Sequence, residues 1–330
     1  QSRGVACGGR PDRSRPGAGR GRGSARTDAG SDVEEMSRVE LVFTLHQRNH
    51  LDHYAMALAA AYVSIRQRTH AVLRLHVVTD QSVGAMTRQR LIASLRGGDE
   101  ITFVEAASLS EAADLACQLD SDYSPAIIWR AWIAEYLPQL DRCLLLDCDL
   151  LVRLDLARVW EMSLEGCALA AVLRGRPHAE DYHAWLGTPW NRYFRMGCTL
   201  MDLEMIRSNN AFQEGRRDLL LEASSLRASL PACGLLEQSL FNRFFAHSCR
   251  PMPFPLIASD RLEHHPSSQQ RLALLRTGGD CILDIKGWSN RSPEALQFWA
   301  ALLETPWREA VVARFLEGAI RPPEPPESPR

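Results

Sequence analysis

The stretch Leu144-Leu145-Leu146-Asp147-Cys148-Asp149-Leu150-Leu151-Val152 constrains the fold more than any other part of the chain. An apolar run without alternation marks a strand buried on both faces, and such strands belong to sheets covered by helices on either side. The surrounding sequence agrees. Apolar β-type runs at 39–45, 73–79, 101–104 and 143–147 alternate with helical patterns at 54–68, 84–96, 108–117 and 126–136. Strand–helix alternation of this kind predicts an α/β fold with a mainly parallel central sheet flanked by helices. Further strands are expected at 168–173, 197–203 and 281–285, and further helices at 235–246, 294–303 and 308–317.

Composition narrows the function. The 330 residues are 45 % hydrophobic and 24 % charged with a formal net charge of −2, which suits a large core and excludes broad electrostatic capture of nucleic acid. No apolar run approaches the roughly 18 residues of a membrane-spanning helix. Nine cysteines without a Cys-x-x-Cys pair suggest reduced thiols and a cytoplasmic protein, not a disulfide framework or a zinc site. Residues 1–37 hold no aromatic side chain and are crowded with Gly, Arg, Ser and Ala, so a disordered arm, or a leader ahead of a start at Met36, is expected there. A Pro-rich tail is expected over 321–330, leaving 38–320 as the folded domain. Of the 38 Lys and Arg residues only Lys286 is a lysine, which hints at a position where a compact ammonium is preferred to a planar guanidinium.

The chemistry sits in the two aspartates. Asp147 and Asp149 are two apart, so in extended chain they project to one side. In an open parallel sheet the carboxyl ends of the strands are where ligands bind. Two hard oxygen donors there suit Mn²⁺, with Mg²⁺ as the alternative, and diphosphate oxygens would complete the coordination.

Beyond these two residues, an ordered set of motifs resembles the family 8 glycosyltransferases, retaining enzymes of the GT-A (nucleotide-diphospho-sugar transferase) fold. Leu41-Val42-Phe43-Thr44 through Asp52-His53-Tyr54 resembles that family's uridine-binding start, and His76-Val77-Val78-Thr79-Asp80 its second strand. Trp129-Arg130 with Tyr136-Leu137-Pro138 is similar to the helix ahead of its metal motif, and 145–156 followed by Val159-Trp160 to the metal motif itself. Tyr193 to Leu203 resembles the segment bordering the sugar pocket, and Leu236-Glu237-Gln238-Ser239-Leu240-Phe241-Asn242 the Asp-Gln-x-x-x-Asn helix. The resemblance implies transfer of a hexose, glucose or galactose, from a UDP-sugar to a glycan or glycolipid acceptor of a surface polysaccharide or glycoconjugate. It assigns nucleotide-sugar contacts to Thr44, Asp52, His53, Tyr54, Arg130, Asp147, Cys148, Gly197, Lys286 and Gly287, and metal ligation to Asp147, Asp149 and Asp284. Gln238 is implied beneath the anomeric carbon, with Glu237 beside it as the stronger nucleophile. Retention by front-face attack and retention through a covalent intermediate are both compatible with this pattern. Trp185, Trp190 and Tyr193 fall where an acceptor pocket would be built, or where a core would be packed. The closing aromatics Phe298, Trp299, Trp307 and Phe315 recur at roughly helical spacing and read as core or as a surface-seeking face, and docking at a membrane surface toward a lipid-linked acceptor is compatible with the second.

The departures from the family pattern are specific. Arg195 stands where Asn is usual, Arg174 where Asp is usual, and Asp284-Ile285-Lys286-Gly287 where the third ligand is ordinarily a His. They motivate one alternative, a relative that binds a nucleotide-sugar without transferring it. A second alternative is a phosphatase of the haloacid dehalogenase type, which also uses strand-Asp-x-Asp and a late Gly-Asp-x-x-x-Asp, matched by Gly279 to Asp284. That family needs a Lys or Arg between the two motifs, where this chain offers arginines alone, its sole Lys following the second. Its first motif ordinarily opens the domain, whereas over 100 residues of the expected fold precede Asp147.

Overall fold

The computed structural model describes residues 38–47, 52–119, 123–174, 178–253, 256–258, 282–284 and 293–316. The expectations for 1–37 and 321–330, and for Lys286 and Gly287, lie outside them. The first half alternates as its sequence suggests: β1 (Arg38–Leu45), α1 (His53–Arg66), β2 (Val72–Thr79), α2 (Ala85–Ala93), β3 (Glu100–Glu105), α3 (Ser110–Leu119), α4 (Pro125–Trp129), α5 (Ile133–Tyr136) and β4 (Arg142–Leu146). The second half contributes β5 (Leu150–Val152), α6 (Leu156–Trp160), β6 (Leu169–Leu173), α7 (Glu180–Leu186), β7 (Phe194–Asp202), α8 (Leu203–Arg207), α9 (Asn210–Leu226), α10 (Leu236–Phe245), β8 (Cys249–Pro251), β9 (Leu256–Ala258), β10 (Ile282–Asp284), α11 (Pro293–Leu303) and α12 (Arg308–Leu316).

Seven strands form one sheet in the order β3-β2-β1-β4-β7-β6-β8. β1 pairs in parallel with β2 and β4, β2 with β3, and β6 with β8, while β7 runs antiparallel between β4 and β6. At β1 and β4 the sheet is buried on both faces, and the period of two sorts their side chains into two cores. Val39, Leu41, Phe43 and Leu45 of β1, with Leu144 and Leu146 of β4, pack on the α1 side. Val42, with Cys143 and Leu145, packs on the side of α3, α4 and α10. This double covering is why neither strand alternates in sequence.

Helix α1 is buried from Ala55 to Ile65, almost all the way round. A helix surrounded on all sides needs partners on all sides. α1 lies against the large sheet, against β5 and against α11, and its run of alanines permits close approach. Ser64 Oγ donates to Ala61 O (2.7 Å) and accepts the amide of Val152 (2.9 Å), so the helix also satisfies an edge of β5. Phe298 and Trp299 of α11, and Trp307 just before α12, are buried in this layer, which resolves their helical spacing as core packing.

Two expectations change. The helix expected at 126–136 is interrupted: α4 stops at Trp129, a 3-10 turn carries Arg130–Trp132, and α5 follows. Side chains anchor the break, since the Trp132 indole donates to Glu111 (3.1 Å) under the Arg216 guanidinium and Arg130 donates to Thr44 Oγ1 (3.1 Å). The apolar run 144–152 is not one extended strand either. β4 ends at Leu146, residues 147–149 turn, and β5 joins a second sheet of order β5-β10-β9. The run is apolar throughout because both strands are buried, in different sheets.

Candidate active site

The strand order reverses between β1 and β4: β2 and β3 lie on one side of β1, and β4 on the other. The crevice outside the carboxyl ends of such a pair is the ligand position expected of open α/β sheets. A cavity of about 220 Å³ opens there. It is lined by Thr44 and His46 from the end of β1, Tyr54 from α1, Arg130, the turn Asp147, Cys148 and Asp149, and Gly234, Leu235 and Glu237 at the start of α10.

Arg130 organises this space. It is buried, and its Nη2 lies 2.5 Å from Asp147 Oδ1, its Nη1 3.4 Å from Glu237 Oε1, and its Nε donates to Thr44 Oγ1 at 3.1 Å. Burial alone would depress the guanidinium's pKa, but the carboxylates of Asp147 and Glu237 outweigh it and push the value up. Burial pushes Glu237 up as well, reinforced by Asp147 and opposed by Arg130. One cation therefore serves two carboxylates, and the third, Asp149, lines the same cavity.

Asp147 and Asp149 reach this cavity from a turn instead of an extended strand. The Asp147 amide donates to Gly197 O (2.9 Å), which fixes the turn against β7 and gives Gly197 its place. Cys148, buried between them, donates to Thr44 O (3.4 Å), and burial pushes its thiol up so that it stays protonated. Two carboxylates without a thiolate make a donor set for a hard cation. Antiparallel pairing of β10 with β5 sets Asp284 opposite Leu150, next to the Asp149 turn. Among the described residues, no three His, Cys, Asp or Glu side chains gather into a ligand cluster.

The other expected site residues divide. Tyr54 lines the cavity and is half-exposed, while His53 is not among its lining residues. The Asp52 carboxylate lies elsewhere, accepting from Thr87 Oγ1 (2.6 Å), Arg90 Nη1 (3.1 Å) and Trp307 Nε1 (3.2 Å), and so ties the start of α1 to α2 and the closing helices. Glu237 faces the cavity; Gln238, one residue on, faces β7. Its Nε2 donates to Tyr193 Oη (2.8 Å) and its Oε1 accepts from the Met196 amide (3.4 Å). One turn later Asn242 clamps the same strand, accepting from Phe194 N and donating to Phe194 O, both at 2.9 Å. The Gln-x-x-x-Asn spacing thus sets one face of α10 on β7. Of the three aromatics expected at an acceptor pocket, Trp190 is exposed, Trp185 donates to Glu222, and Tyr193 is fully buried.

Among the lining residues that sequence reasoning passed over, His46 carries a titratable ring. Asp80 Oδ2 lies 3.0 Å from its Nδ1, and Ser82 braces Asp80 in turn. Burial works against the Asp80 charge, but hydrogen bonds from His46 and Ser82 hold its carboxyl below the usual carboxylate range. The available signal was position, directly after β1.

Sheet order, reversal point and cavity define a GT-A fold, and comparison with solved structures agrees. The chain superposes on the galactosyltransferase LgtC in complex with donor and acceptor sugar analogs with a TM-score of 0.60 and 20 % identity, covering 82 % of this chain and 99 % of that one. Against the bifunctional glycosyltransferase WbbM the TM-score is 0.60 at 14 % identity, covering 86 % of this chain but 52 % of WbbM, so it spans about half of that protein. Mouse xyloside xylosyltransferase 1 gives a TM-score of 0.52 at 16 % identity, with 77 % of this chain and 99 % of that one covered. No curated protein sequence matches. The model of glycosyl transferase family 8 matches residues 49–255, and the chain belongs to that family of glycosyltransferases. Membership sets aside the phosphatase alternative. Among the described residues no helix is long and apolar enough to cross a membrane.

Proposed function

We propose that this chain is a metal-dependent, retaining glycosyltransferase that moves a hexose, glucose or galactose, from a UDP-sugar to a glycan or glycolipid acceptor. One observation carries the reading: Asp147, Asp149, Arg130 and Glu237 converge on a single cavity at the carboxyl ends of β1 and β4. Asp147 and Asp149 would hold Mn²⁺ or Mg²⁺, with Asp284 as third ligand, in keeping with the register of β10 against β5. A divalent cation bound there supplies neutralisation of the charge that develops on the departing diphosphate.

The chain's own residues do the remainder. Arg130 keeps the Asp147 carboxylate oriented and stays charged, so the turn is held before donor arrives. Tyr54 and Thr44 border the space for the nucleoside, with His53, Lys286 and Gly287 as further donor contacts from the family pattern. Gln238 offers its carbonyl oxygen to an anomeric carbon that becomes oxocarbenium-like, and Glu237 supplies negative potential beside it.

Calorimetric titration of UDP with and without Mn²⁺, on wild type and Asp149→Ala, tests this. The expected result is binding that requires the cation and is lost in the variant. Binding indifferent to both the cation and Asp149 overturns the proposed diphosphate site.

A further inference from the structure

We propose that Tyr193, backed by Tyr182 and Ser239, is a positioning residue that fixes which end of the Gln238 amide is oxygen. The inference rests on the reading of Gln238 as the group beneath the anomeric carbon. Four side chains form a continuous line: Gln238 Nε2 to Tyr193 Oη (2.8 Å), Tyr193 Oη to Tyr182 Oη (3.0 Å), and Tyr182 Oη to Ser239 Oγ (2.8 Å). Ser239 Oγ then reaches Leu235 O at 2.9 Å. Tyr182, Tyr193 and Ser239 are fully buried, so no bulk water competes for these hydroxyls.

The line has one direction. A carbonyl can only accept, so Ser239 must donate to Leu235 and therefore accepts from Tyr182. Tyr182, having donated, accepts from Tyr193, and Tyr193 accepts from Gln238. That requires the NH₂ end of the amide to face the tyrosines. The other end is fixed independently, because the Met196 amide can only donate and lies 3.4 Å from Gln238 Oε1. Burial pushes both phenols up, so they remain protonated donors over any usable pH. The carbonyl oxygen is thus held on the side of Met196 and Gly197, the segment whose carbonyl receives the Asp147 amide. A flipped amide would set NH₂ against the Met196 N–H and oppose the whole line. An oxygen meant to face a developing positive charge is in this way selected before donor binds, from the core side of α10.

The test uses the full chain, with release of UDP from UDP-glucose and UDP-galactose as the turnover assay, and the hydrogen exchange of the Gln238 side-chain amide as a second readout. The amide resonances are identified by their absence in Gln238→Glu. Tyr193→Phe is expected to lower kcat about tenfold with KM within about twofold, the loss of one orienting hydrogen bond, and to speed amide exchange. Ser239→Ala, at the far end of the line, is expected to act in the same direction more weakly and serves if Tyr193→Phe does not fold. Wild-type kcat and unchanged amide protection in both variants overturn the proposal. If wild type releases no UDP from either sugar, the catalytic reading of Gln238 fails, and unchanged exchange in the variants separately overturns the relay.

Discussion

Two Arg–Asp pairs, Arg66–Asp99 and Arg130–Asp147, share their chemistry and differ in what surrounds them. Asp99 is fully enclosed and saturated: it accepts from the Leu73 amide (2.9 Å), the Tyr62 hydroxyl (2.7 Å) and Arg66 (3.1 Å), joining α1, β2 and the chain ahead of β3. The Asp147 side chain keeps a quarter of its surface open, and it shares its guanidinium with Glu237 in a cavity that Asp149 also lines. A carboxylate whose lone pairs are all taken by scaffold donors holds the scaffold. Two carboxylates sharing one guanidinium, with a third lining the same cavity, carry surplus negative charge, which is what the proposed divalent cation requires.

The contrast breaks most clearly at Asp147. Asp147→Asn is expected to reduce UDP release from UDP-sugar about 10³-fold. Because Glu237 still holds Arg130, denaturant unfolding should register a loss of no more than about 2 kcal/mol. Asp99→Asn should do the reverse, with kcat retained below the melting transition and stability down by about 3 kcal/mol, since Arg66 is left beside a neutral, misdirected amide. Equal stability losses in the two variants would mean that Asp147 is scaffold too.

A smaller effect comes from pH. Burial holds His178 well below its ordinary 6.5, at about 4, with the nearby charges of Arg174, His183 and Arg195 adding to it. The unfolded chain then binds a proton that the folded chain refuses, so this contribution is full above pH 6.5 and is lost as the pH falls toward 4. Thermal melts over that window should fall less steeply in His178→Gln than in wild type; identical slopes would remove His178 from the account. The smallest effect calibrates the scaffold itself. Asn209 caps α9 by accepting the Phe212 amide (3.0 Å), and Asn209→Ala should cost about 1 kcal/mol with turnover unchanged.

Much of this arrangement was legible in the residues. The strands from β1 to β4 announced themselves as apolar runs because both faces of the sheet are covered, and the aspartates stood out because charge inside such a run is costly unless it has a purpose. Where legibility failed, the cause was long-range. Residues 147–149 are followed by more leucine and valine, so nothing local reveals that the chain changes sheets there. The sequence at 126–136 reads as one helix through Arg130, and the interruption goes with partners far along the chain: Thr44 and Glu237 for Arg130, Glu111 and Arg216 for Trp132. Asp52 and Asp147 were both expected to contact the nucleotide-sugar, yet the Asp52 carboxylate is occupied by Thr87, Arg90 and Trp307 while Asp147 opens on the cavity.

The sequence by itself therefore determined the class of fold, the family motifs and the pair Asp147 and Asp149, since these depend on periodicity and on neighbours along the chain. The tertiary structure decided the rest: that Arg130 is shared between two carboxylates, that His46 lines the cavity, and that buried tyrosines orient Gln238. Each of these rests on contacts between residues that are not neighbours along the chain, such as Arg130 with Glu237 and Tyr193 with Gln238, and follows from which donors and acceptors the packed core leaves facing one another.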